Sequence, residues 1–212
     1  RVYQSGELVA EYTYNGWGER VSKTVYSDNE KKTTYYLYHQ HRLIAEADQN
    51  GHIFREYLYH QQRIVGVWQN REFFAVHGDH LGTPQLVTNQ DQQTVWTAHY
   101  EPFGKAIINN DPDQNGREFI FPLRQPGQYA DEETGTYYNY FRDYDPSTGR
   151  YLTSDPIGLR GGLNTYLYAE ANPLKYSDSL GLSPLSTENI RDFATDLKYQ
   201  YVSFSSGCSA ES

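Results

Sequence analysis

The sequence predicts an all-β protein built from short, tyrosine-rich hairpins. Tyrosine alone supplies 21 of the 212 residues, and aromatics make up 16%. Tyr, Thr and Val alternate with polar residues over long stretches, the period-two signature of a strand with one buried face. Asn-Gly and related turn signals break these runs at short intervals. Mean hydropathy is low at -0.81, but disordered chains are poor in aromatics, so the value does not indicate disorder. Tyrosine buries a large ring and keeps a polar tip, which suits half-exposed sheet surfaces.

Taken in order, YTYNGWGERVSKTVYS (Tyr12 to Ser27) reads as two strands around the Asn15-Gly16 turn. The segment from Thr33 to Trp68 holds two related units, YLYHQHRLIAEAD and YLYHQQRIVGVW, separated by Gln49-Asn50-Gly51. Tyr36, Tyr38, Tyr57 and Tyr59 fall at period-two spacing. Self-similarity at roughly twenty residues points to stacked hairpins, a repeat that cannot bury its end faces alone. Further on, PQLVT and TVWTAHY flank the turn Asn89 to Gln92, and Asn109 to Phe119 is a polar loop. Residues Phe121 to Leu159 alternate turn signals with Tyr-rich strands. Near the end, Ile190, Phe193, Ala194 and Leu197 lie at three-and-four spacing after Thr187, which predicts a short capped amphipathic helix over Thr187 to Gln200. The last residues, SSGCSAES, read as a frayed tail.

Charge and composition exclude several functions. A net charge of -9 and a pI near 5.2 argue against a nucleic-acid groove and against a polybasic membrane patch. No apolar run approaches the roughly eighteen residues of a spanning helix, and RVYQSGELVA is not signal-like. The single Cys208 cannot form an internal disulfide. With no methionine and Arg1 first, the chain is expected to be a piece of a longer parent.

Several stretches resemble the Rhs repeat-associated core of bacterial polymorphic toxins. They are HGDHLGTPQLVT, VWTAHYEPFG, LRQPGQYADEETGTYYNYFRDYDPSTGRYLTSDPIGL and GGLNTYLYAEANPL. The Y-x-Y-N-x-x-G-x-R stretch from Tyr12 to Arg20 resembles the YD repeat that precedes such a core. The resemblance covers about residues 10 to 182. It implies YD-repeat hairpins over 1–70 forming part of a hollow β-shell, and an Rhs core over 71–182 curling inward as a plug. Residues 183–212 would be a C-terminal variable segment, the start or remnant of a toxin. The implied partners are the rest of the shell, an encapsulated C-terminal toxin, a secretion-spike or chaperone protein and an immunity protein. The implied setting is bacterial: synthesis in the cytoplasm, then secretion or delivery to target cells, by a route like type VI secretion.

Two short segments carry the chemistry. DPIGL (Asp155 to Leu159) and DSLGL (Asp178 to Leu182) share Asp first, Gly fourth and Leu fifth, with Ser179 where the first has Pro156. An isolated Asp-x-x-Gly staples a turn: Asp bonds its own backbone, and the glycine, here Gly158 or Gly181, supplies the position where φ > 0 is expected. Two carboxylates brought together behave differently, because one pKa rises and the pair shares a proton. The ionised member can activate water while the protonated one polarises a carbonyl. The resemblance implies cis cleavage by Asp155 and Asp178 at the Leu182–Ser183 bond, with Pro156, Gly158, Ser179 and Gly181 supporting the turns. Attack by the Ser183 hydroxyl is a rival route. A non-cleaving, teneurin-like YD-repeat interaction module is a rival function. Proline at 179 would pre-set φ, so Ser179 is expected to cost preorganisation of only ~0.4–1 kcal/mol.

The remaining clusters read as structural. His77 and His80 flank Gly78-Asp79, too few groups for a zinc site, and Asp143, Asp145 and Gly149 fail the calcium-loop pattern. No metal or cofactor is expected. Arg142 and Arg150 are candidates to orient a carboxylate. Gly161-Gly162 and Asn172-Pro173 read as turns that fold the chain back. Such a return is needed, since an extended chain would hold the two aspartates about 75 Å apart.

Overall fold

The computed structural model describes residues 1–27 and 30–182. Ser183 and the helix expected over Thr187 to Gln200 lie outside the described residues. Eleven strands form one antiparallel sheet in strict chain order. They are β1 (Val2–Gln4), β2 (Glu7–Tyr14), β3 (Arg20–Ser27), β4 (Glu30–His39), β5 (Arg42–Ala47), β6 (Ile53–His60), β7 (Arg63–Gln69), β8 (Glu72–Gly78), β9 (Pro84–Thr88), β10 (Thr94–Tyr100) and β11 (Ala106–Asn109). Each strand pairs with its sequence neighbours, so every connection is a hairpin.

The two related units fold alike in detail. The β4–β5 turn places Gln40 and His41 at φ 49° and 61°, and the β6–β7 turn places Gln61 and Gln62 at 46° and 69°. Two successive left-handed residues make the turn whose twist matches the flanking strands, here without glycine. A register shift falls between Leu37 and Tyr38 in one unit and between Leu58 and Tyr59 in the other. The repeat therefore includes its bulge.

One face of this sheet is buried, carrying Tyr36, Leu43, Tyr57, Ile64, Val67, Phe74, Val76, Val87 and Trp96. Alternation leaves Tyr35, Leu37, Leu58 and Trp68 exposed. The chain then covers the buried face. Phe119 and Phe121 pack on it, with ring centroids 4.5 Å from Phe74 and 5.2 Å from Trp96 respectively. A second antiparallel sheet follows: β12 (Tyr129–Asp131), β13 (Thr136–Asn139), β14 (Arg142–Asp145) and β15 (Arg150–Tyr151). Neighbouring tyrosines of β13 point opposite ways. Tyr138 joins the core shared with the first sheet, and Tyr137 joins Tyr144, Tyr151 and Tyr168 in a second core. Two single-turn 3₁₀ helices, Gly158–Gly161 and Ala169–Ala171, complete the described chain. None of its helices is long and apolar enough to cross a membrane.

Buried polar contacts fasten the two sheets. Asp131 accepts Arg20 at 2.6 Å and Lys23 at 2.8 Å. The Arg20 guanidinium lies 4.2 Å from the centroid of Tyr138 and 5.3 Å from that of Tyr129. Glu46 accepts Arg55 at 2.7 Å, the Tyr129 hydroxyl at 2.9 Å and the Tyr57 hydroxyl. Removing one partner of a buried pair strands the other charge. Asp131→Ala should therefore lower unfolding free energy by about 3–5 kcal/mol in urea titration. Glu11→Ala, which breaks the exposed Arg1 pair, should leave the urea midpoint nearly unchanged.

Candidate functional site

The two Asp-x-x-Gly segments fold as matching turns. The Asp155 carbonyl accepts the Gly158 amide at 2.9 Å, and the Asp178 carbonyl accepts the Gly181 amide at 3.5 Å. Gly158 and Gly181 sit at φ 62° and 68°, the left-handed region where a side chain is strained. At Gly181 space adds a second reason, because a Cβ there would lie 2.5 Å from the Asn139 carbonyl oxygen. The carboxylates then diverge. Asp155 Oδ1 accepts the Ile157 amide at 3.0 Å, whereas Asp178 Oδ1 accepts the Leu182 amide at 2.9 Å. The final leucines differ too: Leu159 is 72% exposed and Leu182 1%.

Arg142 brings the turns together. Its Nη2 forms an ion pair with Asp155 Oδ2 at 3.0 Å and donates to Asp178 Oδ2 at 3.2 Å. Its Nη1 donates to the Thr165 carbonyl at 2.9 Å, and its Nε to the Gly181 carbonyl. The guanidinium lies against the Tyr151 ring, 3.6 Å from the centroid. All three charged side chains are buried, at 1% exposure for Arg142 and Asp178 and 3% for Asp155. The chain between the turns folds back as Asp155 and Tyr151 donate their amides to the carbonyls of Thr165 and Tyr166.

Two further residues reach Asp178. The Tyr151 hydroxyl donates to Oδ2 at 2.8 Å, and Asn139 Nδ2 lies 2.9 Å from the Asp178 carbonyl and 2.7 Å from the Tyr151 hydroxyl. Sequence reasoning missed both. Tyr151 is one tyrosine among 21, and Asn139 ends a strand without belonging to either aspartate motif. Of the two arginines singled out by sequence, Arg142 meets both carboxylates, while Arg150 lies 5.9 Å from the Tyr166 ring centroid.

Burial raises the Asp155 carboxyl above the ordinary carboxylate range, and the neighbouring Asp178 charge adds to the rise. The Ile157 amide and Arg142 pull the other way. One guanidinium between two buried carboxylates leaves an excess negative charge when both are ionised, the condition under which a pair holds a proton. Burial, with Asp178 adding to it, also raises Tyr151, so its hydroxyl stays protonated and able to donate.

The remaining sequence candidates take local roles. Pro156 lies in the first turn. Ser179 packs tightly in the second, since a Cβ on Gly127 would collide with its carbonyl oxygen. Ser179 and Leu180 also form part of the wall of a cleft of about 550 Å³, together with Tyr38 and Tyr59. Asp79 caps its own turn by accepting the Leu81 and Thr83 amides. His77 meets Thr88, and His80 meets the Leu174 carbonyl. Asp145 accepts Ser147 and Thr148. Among the described residues no group of three or more His, Cys, Asp or Glu could hold a metal ion.

A long antiparallel meander, covered on one face by a smaller Tyr-rich sheet, is the architecture of a β-shell wall. The Teneurin YD-shell family model matches residues 1–173, and the chain belongs to this family of Rhs/YD-repeat polymorphic toxins. It is 44% identical over 110 residues to "Double-stranded DNA deaminase toxin A" of Burkholderia cenocepacia, covering 52% of this chain and 8% of that one. It is 32% identical over 186 residues to "Probable deoxyribonuclease RhsA" of Dickeya dadantii, covering 83% and 12%. The chain thus spans about a tenth of the length of these two relatives. The fold is similar to that of TcdB2-TccC3 without its hypervariable C-terminal region, a crystal structure matched with TM-score 0.64 and 21% identity over 82% of this chain and 9% of that chain.

Replacing Arg142 tests the electrostatic arrangement. In Arg142→Gln the two buried carboxylates lose their counter-charge, and Asp155, already raised by burial, is held further towards the protonated form. A carboxyl whose folded pKa exceeds its unfolded one supports the fold at low pH and loses that support as pH rises. The variant should be destabilised by about 3–5 kcal/mol near neutral pH, with a smaller deficit near pH ~4. Denaturant unfolding at the two pH values measures this.

Proposed function

We propose that this chain is part of a toxin-delivery shell that cuts itself once, between Leu182 and Ser183, using Asp155 and Asp178. The observation that carries the reading is the meeting of both carboxylates on one buried arginine, with Asp178 also holding the Leu182 amide. The family membership and the toxin names of the relatives support the setting.

Arg142, Tyr151 and the Leu182 amide all donate to the Asp178 carboxylate. Held by these groups beside Leu182, Asp178 takes the role of base and accepts a proton from water. Asp155, raised by burial, takes the role of acid and polarises the Leu182 carbonyl. Water adds to that carbon, and the proton passes on to the Ser183 nitrogen as the C–N bond breaks. The products are a carboxylate at Leu182 and an amine at Ser183. The cut is cis and single-turnover, with no external substrate and no cofactor. It would free a C-terminal toxin still enclosed by the rest of the shell, for secretion or delivery with a spike or chaperone protein. An immunity protein would protect the producing cell.

Asp155→Asn and Asp178→Asn should each leave the chain uncut on denaturing gels, while Ser183→Ala still cuts. Loss of cutting in Ser183→Ala alone would favour the hydroxyl route. Two uncut Asn variants beside an equally uncut parent would favour the non-cleaving interaction module. Because the acid must be protonated, the cleavage rate should fall as pH rises through the elevated Asp155 titration, measured as a rate–pH profile. Ser179 should slow the cut without abolishing it.

A further inference from the structure

We propose that Tyr151, backed by Asn139, is the positioning residue for Asp178 and supplies the preorganisation that Ser179 leaves out. The inference rests on the cleavage reading above but concerns how its second carboxylate is held. The first aspartate is followed by Pro156, whose ring fixes φ within the turn. The second is followed by Ser179, which imposes no such restriction. The Asp178 turn is also the looser one, with its closing Asp178–Gly181 bond at 3.5 Å against 2.9 Å in the first turn.

Contacts from outside the turn replace what is missing inside it. The Tyr151 hydroxyl fixes Asp178 Oδ2 at 2.8 Å, and Asn139 Nδ2 fixes the Asp178 carbonyl at 2.9 Å. Asn139 Nδ2 also donates to the Tyr151 hydroxyl at 2.7 Å, which turns the hydroxyl proton towards the carboxylate. Side chain and main chain of one residue are thus held by two strands, β13 and β15. Asn139 and Asp178 are fully buried and Tyr151 nearly so, where hydrogen bonds to a charged group are strong. The Tyr151 ring stacks on Arg142, the group that reaches Asp155. Asp155 Oδ1 is held differently, by a main-chain amide of its own turn. With Oδ2 and the carbonyl fixed, Asp178 Oδ1 stays aimed at the Leu182 amide.

Tyr151→Phe removes the hydroxyl and keeps the ring over Arg142, so the fold should survive, as read by the melting temperature. Two measurements on the full chain test the proposal. In the Asp155→Asn background, expected to be uncut, hydrogen exchange at the Leu182 amide should quicken about tenfold or more on adding Tyr151→Phe. In the Asp155-containing chain, Tyr151→Phe should slow cleavage roughly ten- to hundredfold. Ser179→Pro should recover part of that loss and change the parent rate less, a non-additive cycle. A general packing role for Tyr151 predicts additive effects and unchanged exchange at Leu182, and either result would overturn the proposal. If exchange responds as expected but the parent chain never cuts, the positioning role stands and the cleavage reading falls. If the parent cuts and Tyr151→Phe matches it in both measurements, the positioning role falls alone.

Discussion

A single buried guanidinium organises the second half of the molecule. Arg142 directs every nitrogen at acceptors from distant parts of the chain: Asp155, Thr165, Asp178 and the Gly181 carbonyl. Burying an arginine is costly unless each donor is met, so these partners must arrive together or not at all. The fold-back between residues 156 and 177 is one consequence. Another is the closeness of two carboxylates that would otherwise repel. Gly161 shows how tightly the chain wraps them, since a Cβ there would lie 2.5 Å from Asp155 Oδ2.

The same strategy recurs where the two sheets meet. Asp131 is met by Arg20 and Lys23, and Glu46 by Arg55 and two tyrosine hydroxyls, all within an aromatic interface. Tyrosine serves both needs at once, since its ring fills the core and its hydroxyl answers a buried charge. This explains how a chain of mean hydropathy -0.81 sustains a packed interior. The site is thereby built on strands: Arg142 from β14, Tyr151 from β15 and Asn139 from β13. The aspartates themselves ride on turns. Bracing those turns from strands would suit the proposed cleavage, because a bond to be cut must be placed against groups that hold still.

Much of this was legible in the sequence, for physical reasons. Period-two alternation marks a strand directly, so the hairpin units around Tyr36 and Tyr57 could be read in phase, and the structure repeats them down to the bulge. The paired Asp-x-x-Gly segments were visible because turn chemistry is local. The charge partners were not legible. Nothing near Glu46 announces that it will meet Tyr129, 83 residues away, and Arg142 could be nominated but not assigned to both carboxylates. Asn139 and Tyr151 left no signal, since their roles arise only when β13 and β15 are laid beside the returning chain. Long-range burial of polar groups is a property of the assembled fold, and no window of sequence contains it.

The central claim is that one chain carries both acids and the bond they cut. Its most direct measurement is peptide mapping by mass spectrometry of freshly folded protein, followed over time at several protein concentrations. The account predicts one new C-terminus at Leu182 and one new N-terminus at Ser183, appearing at a first-order rate that does not change with concentration. A chain that stays intact, a cut at another bond, or a rate that rises with concentration would contradict it.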